Sequence, residues 1–189
     1  MLRITFCKVI IGSICRLVSL TLMLMPLFMS GSRVWAADNM HFHGALTAQP
    51  CSVPSEDTTI PLDFGEIVTN SLYNNQRTPG KTLELNLTEC DTQVADHVTL
   101  TFRGPESQSL PGLLALAPGS QAAGVAIGME MTNGQQLPLN KPTGNYLLTD
   151  GDNVITLQVY VQGEPQAIAQ EAIVPGNFSA IATFDLQYQ

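Results

Sequence analysis

Fourteen residues, Gly176 to Gln189, alternate almost without exception. Gly176, Phe178, Ala180, Ala182, Phe184, Leu186 and Tyr188 share one parity. Asn177, Ser179, Ile181, Thr183, Asp185, Gln187 and Gln189 share the other, polar but for Ile181. Period two sends successive side chains to opposite faces of a strand, whereas a helix would scatter the same residues around its circumference. The stretch therefore predicts a strand with one apolar face and one wet face.

The same period recurs along the chain. Met40, Phe42, Gly44 and Leu46 form a short alternating segment just before Pro50-Cys51. Thr59 to Gly65 alternates Ile60, Leu62 and Phe64 and reads as a strand ending at a glycine turn. Lys81 to Cys90 alternates its leucines, and His97 to Arg103 alternates Val98, Leu100 and Phe102. Gly124 to Met131 is followed by Asn133-Gly134, a tight-turn dipeptide, with Leu137 and Leu139 as the hairpin partner. Asp150-Gly151 marks another turn. Val154 to Val161 carries two interleaved apolar sets, the mark of a strand at a sheet centre. Residues 71–79, 104–119 and 163–175 read as connections, and no long amphipathic helix is apparent. Many short strands between turn signals predict an all-β chain, an antiparallel β-sandwich.

Residues 1–36 read as a secretory signal. Arg3, Lys8 and Arg16 precede or flank an apolar run, Leu17 to Phe28, of 12 residues. That is short of the roughly 20 a spanning helix needs. Val34-Trp35-Ala36 offers a cleavage site. The remaining 153 residues fit one domain, with four basic residues against sixteen acidic ones, a net charge of −12. Such a chain repels phosphate backbones and anionic surfaces, so neither nucleic acid nor membrane insertion after signal cleavage is expected. Cys7 and Cys15 leave with the signal. Cys51 and Cys90 remain, and two cysteines in an exported chain imply one disulfide.

Signs of catalysis are sparse. His41 and His43 have a chelating spacing on one strand face, which invites comparison with copper/zinc superoxide dismutase. That chemistry needs several more histidines, and the chain adds only His97. No Gly-x-Ser-x-Gly elbow and no phosphate-cradling glycine loop occur. Arg77, Lys81, Arg103 and Lys141 are too few to imply an anion site. No enzyme activity, cofactor or metal is expected.

The terminal stretch, with its glycine, alternating small and large apolar residues and penultimate tyrosine, resembles that of chaperone–usher pilus subunits. The segment before Cys51 resembles the N-terminal extension of the short minor or tip-adaptor subunits of type 1 pili. This resemblance covers the whole mature length and implies an incomplete immunoglobulin-like β-sandwich, the pilin fold lacking its final strand. It implies a signal peptide at 1–36, a donor-strand extension at 37–48 and a pilin domain at 49–189. Met40, Phe42, Gly44 and Leu46 become the donor face. Gly176, Phe178, Ala180, Ala182, Phe184, Leu186, Tyr188 and Gln189 become the strand paired by a periplasmic chaperone, whose basic residues hold the carboxylate. The implied partners are that chaperone, an outer-membrane usher and neighbouring pilus subunits. The implied destination is the cell-surface fimbria, where the chain polymerises by donor-strand exchange. An adhesin binding a host glycan is the alternative, although 153 residues leave no room for the separate lectin domain that precedes the pilin domain in two-domain adhesins. A periplasmic metal-binding β-sandwich enzyme is the remote one.

Overall fold

The computed structural model describes residue 46 and residues 48–189. Among these residues six strands form two antiparallel three-stranded sheets. The first takes β1 (Lys81–Cys90), β5 (Gly151–Gly163) and β3 (Val125–Met131) in the order β1-β5-β3. The second takes β4 (Pro142–Leu147), β2 (His97–Arg103) and β6 (Thr183–Tyr188) in the order β4-β2-β6. Among the described residues two short α-helices, α1 (Thr69–Asn75) and α2 (Pro165–Ala169), and a 3-10 turn at Ser55–Thr58 sit in the connections.

The core follows from parity. β5 runs between β1 and β3 and buries Ile155, Leu157, Val159 and Val161 on one face, with Tyr160 buried on the other. This is the sheet-centre strand its doubled apolar pattern predicted. Leu85 and Leu87 from β1 and Val125, Ile127 and Met129 from β3 extend the same inner face. Val98, Leu100 and Phe102 from β2 join them in one cluster. Each fully buried aliphatic side chain contributes roughly 1.5–3 kcal/mol, so this cluster dominates the stability of the domain.

Several expectations change. The strand expected over Gly176–Gln189 is laddered as a strand only over Thr183–Tyr188. Thr59–Gly65 keeps its alternation, with Ile60, Leu62 and Phe64 half-buried, but no strand is assigned there because its backbone has no ladder partner. Residues 71–79 are not all loop: Leu72, 2% exposed, anchors α1 in the core, and the Tyr73 hydroxyl accepts the Ile173 N–H at 3.1 Å. Leu137 and Leu139 are buried beyond the Asn133-Gly134 turn, but the hairpin partner shrinks to a Glu130–Gln136 bridge, since Leu139 N–H turns to Gly112 O. β4 escaped the sequence reading because Pro142-Thr-Gly-Asn-Tyr-Leu147 carries no alternation, as suits a short exposed edge.

On the outer face of the first sheet, Glu130 is buried and held by Arg77 through two bonds of 2.6 and 3.2 Å. The guanidinium also lies over the Tyr160 ring, 4.4 Å from its centroid. Cys51 and Cys90 form the expected disulfide and are both buried. Asp91 N–H to Pro50 O and a two-way Ser52–Thr88 bridge extend this staple, so residues 50–52 are fixed to the end of β1.

Closing the 39-residue separation between Cys51 and Cys90 removes denatured-state entropy worth about 4 kcal/mol in the chain-entropy model. Replacing both cysteines by serine should lower the unfolding free energy by up to that amount in urea titrations. The oxidised wild type should show no free thiol, and two titratable thiols in it would contradict this account.

An open edge beside a half-covered face

Hydrogen bonds of the terminal stretch all leave from one parity. Gln189 and His97 exchange both backbone bonds, at 2.9 and 3.2 Å, which makes them a hydrogen-bonded pair. In an antiparallel ladder such pairs alternate, so Gln187, Asp185 and Thr183 bond to β2 in the register Thr99↔Gln187, Thr101↔Asp185 and Arg103↔Thr183. Upstream, Ser179 O accepts Ala117 N–H at 2.7 Å, and Asn177 O accepts Gln121 N–H at 2.8 Å. The ladder thus gives way to segment 117–122 on the same side. Backbone groups of Tyr188, Leu186 and Phe184 turn away from β2. Those of Ala182, Ala180 and Phe178 bond to no other backbone group among the described residues.

That parity also carries the apolar side chains. Phe178, Ala180, Ala182, Phe184, Leu186 and Tyr188 all pack against the core cluster, and all are only half-buried. An unpaired edge and an incompletely covered apolar row thus lie along the same residues.

Residues 59–65 form the facing wall. Ser52 bridges Thr88, the Asp57 carboxylate accepts Asn86 N–H at 3.1 Å, and Lys81 Nζ donates to Asp63 O. Residues 52–63 therefore run antiparallel to β1, from its Cys90 end to its Lys81 end. Ile60, Leu62 and Phe64 turn inward, and the Phe64 ring meets Phe178 at a centroid distance of 6.2 Å. Residues 59–67 make no backbone–backbone hydrogen bond among the described residues. The two walls and the cluster beneath them bound a groove with an unpaired backbone on both flanks. The alternation of Ile60, Leu62 and Phe64 was visible in the sequence, but the role of wall was not.

The ends of the groove differ. Near its start Gly176 has φ 156°, and an added Cβ would stand 2.6 Å from Gln121 Cβ and 3.1 Å from Ala122 N. Glycine permits this close approach to the 117–122 segment. At the far end the Tyr188 hydroxyl is buried with no hydrogen-bond partner among the described residues. Burial pushes its pKa above the ordinary tyrosine value, so at neutral pH it stays a protonated donor.

Other expected positions fall elsewhere. Met40, Phe42, Gly44, His41 and His43 lie outside the described residues. Leu46 and Ala48 are exposed. Gln189 is exposed and closes the ladder with His97. His97 Nδ1 lies 2.6 Å from the exposed Asp96 carboxylate. Among the described residues no group of three or more His, Cys, Asp or Glu side chains could hold a metal, and no helix is long and apolar enough to cross a membrane.

Comparison with known proteins points one way. The profile of a family described as fimbrial protein matches residues 40–189. The Fimbria A protein of Serratia marcescens is 32% identical, over 82% of this chain and 88% of its own. The major MR/P fimbria protein of Proteus mirabilis is 36% identical, over 82% of this chain and 87% of its own. A crystal structure of the P pilus rod subunit PapA superimposes with a TM-score of 0.65 at 25% identity, covering 75% of this chain and all of that one.

An unpartnered buried hydroxyl costs about 1–3 kcal/mol. Tyr188→Phe should therefore leave the monomer's unfolding free energy unchanged or raise it. A loss of 1 kcal/mol or more in chemical denaturation would reveal a partner for the hydroxyl and contradict the geometry.

Proposed function

The chain belongs to the fimbrial protein family, the structural subunits of cell-surface pili, and from that premise we propose that it polymerises by accepting a donated strand into its groove. A periplasmic chaperone supplies the first strand. At the outer-membrane usher the N-terminal segment of a neighbouring subunit replaces it. Strand addition of this kind gains affinity from main-chain bonds and specificity from pockets for alternate side chains, and chaperone–pilin pairing is a standing example.

One observation carries the reading: the unpaired backbone groups and the half-buried apolar side chains share a parity from Phe178 to Tyr188. A single strand laid beside β6 pairs the former and covers the latter in one step. Three large inward side chains contribute about 1.5–3 kcal/mol each, and each ladder bond adds about 0.5–1.5 kcal/mol. Ordering the strand offsets part of that gain. The result is a durable joint without a covalent bond.

In this reading residues 1–36 are the export signal, 37–48 the extension and 49–189 the groove-bearing domain. Met40, Phe42, Gly44 and Leu46 are the face given to a neighbour. Gly176, Phe178, Ala180, Ala182, Phe184, Leu186, Tyr188 and Gln189 are the strand the chaperone pairs. The role is structural and includes no catalytic step.

Phe184→Asp puts a charge in the inward row. It should abolish recovery of the subunit with its chaperone from the periplasm and lead to its proteolysis. Deleting residues 38–46 should instead leave chaperone capture intact and stop attachment to the preceding subunit. A stoichiometric chaperone complex of the Phe184→Asp chain would remove the terminal strand from this role.

A further inference from the structure

β3 and β4 are edge strands of different sheets, and a side-chain hydrogen bond joins them. Met131 ends β3 at the parity of Val125, Ile127 and Met129, which line the inner face. Tyr146 of β4 lies opposite the buried Val98, and residues directly opposite on paired strands share a face. Tyr146 therefore turns inward, whereas its neighbours Asn145 and Leu147 are exposed. Both Met131 and Tyr146 are half-buried and pack on the core cluster. The Tyr146 hydroxyl donates to Met131 Sδ at 2.7 Å.

That bond is mismatched in strength. A thioether sulfur is a weak acceptor, and a phenol is a good donor. The sulfur is the hydroxyl's one partner among the described residues. Burial raises the Tyr146 pKa, so at neutral pH the hydroxyl keeps its proton. An oxygen placed on the sulfur would give this donor a stronger acceptor. Beyond residue 36 the chain has three methionines, Met40, Met129 and Met131. Met129 is 5% exposed, whereas Met131 is half-buried and opens onto the exposed turn at residues 132–136. A small oxidant reaches Met131 from that turn without opening the core. Oxidation of a core methionine usually disrupts its surroundings, because it makes an apolar side chain polar. Here the new polar atom has a donor waiting.

We propose that Met131 is a modification site, oxidised to its sulfoxide by peroxide, with the Tyr146 hydroxyl as the donor that holds the new oxygen. In that step a sulfur lone pair attacks one peroxide oxygen, the S–O bond forms and the O–O bond breaks. The departing hydroxide takes the proton left on the transferred oxygen and leaves as water. The sulfur is oxidised by two electrons and the peroxide is reduced by two. The link between β3 and β4 then persists as an O–H···O bond, and the sandwich stays closed there. A chain carried to the cell surface works outside the reducing cytoplasm, and this pair lets it take up an oxidising equivalent without unfolding.

The test treats the purified exported chain with hydrogen peroxide and follows each methionine by peptide mapping in a mass spectrometer. Met131 should gain one oxygen several-fold faster than Met129, with Met40 read on its own peptide. The oxidised wild type should melt within about 2 °C of the untreated chain. In Tyr146→Phe the sulfoxide oxygen loses its donor, and oxidation should lower the midpoint by about 3–10 °C, the effect of an orphaned polar group in a domain of this size. Adding Met131→Leu to that variant should abolish the drop, which assigns it to this sulfur. Should Tyr146→Phe fail to fold, the Tyr146 hydroxyl proton in the wild type gives a second readout: its resonance should shift on oxidation as its acceptor changes from sulfur to oxygen. Oxidation of Met129 as fast as Met131 would overturn the site. An equal loss of midpoint in wild type and Tyr146→Phe, or an unmoved hydroxyl resonance, would overturn the part given to Tyr146.

Discussion

A backbone N–H or C=O that is neither paired nor solvated is costly, and every edge of a β-sandwich has to meet that constraint. Two sheets of three strands have four edges. The β3 edge is bridged by Leu114 and Gln136, and the β1 edge by Ser52 and the Asp57 carboxylate. The β4 edge is six residues long, begins at Pro142 and is mostly exposed. Among the described residues, only β6 combines an unpaired side with a continuous apolar row. The function proposed for the chain is the resolution of that one edge.

Much of the remaining structure holds the groove ready. The disulfide and the Ser52–Thr88 bridge fix where the facing wall begins, and Lys81 on Asp63 O holds it further along. The paired side of residues 177–189 is bonded continuously, first to segment 117–122 and then to β2. The floor is therefore hydrogen-bonded along the side away from the opening. Arg77, Glu130 and Tyr160 close the outer face of the first sheet. In the proposed role a donated strand would meet a surface already hydrogen-bonded along one side, which limits the ordering cost of binding to the strand itself.

Strands that bury one face against the core were legible in the sequence because burial writes period two into it. β1 and β2 match their expected bounds, and the doubled pattern of Val154–Val161 marked the sheet centre. β4 was not legible, because an exposed edge strand imposes no apolar period. α1 was hidden because a single buried leucine, Leu72, anchors it. Thr59–Gly65 is the instructive case. Its alternation reports which side chains turn inward, whereas a strand also needs a neighbour, and sequence period says nothing about the neighbour. Half of the candidate site was legible in the same way: the terminal row was plain, but its facing wall and the Phe64–Phe178 contact depend on residues 114 positions apart meeting in space.

Residue-resolved amide hydrogen exchange along Phe178 to Tyr188, in the monomer and in the assembled fibre, tests the central claim most directly. In the monomer the amides of Thr183, Asp185 and Gln187 should be protected, and those of Ala180, Ala182, Phe184, Leu186 and Tyr188 should exchange freely. In the fibre both sets should be protected, the second by the added strand. Equal protection of both sets in the monomer would mean that the edge is already paired, and it would contradict the account.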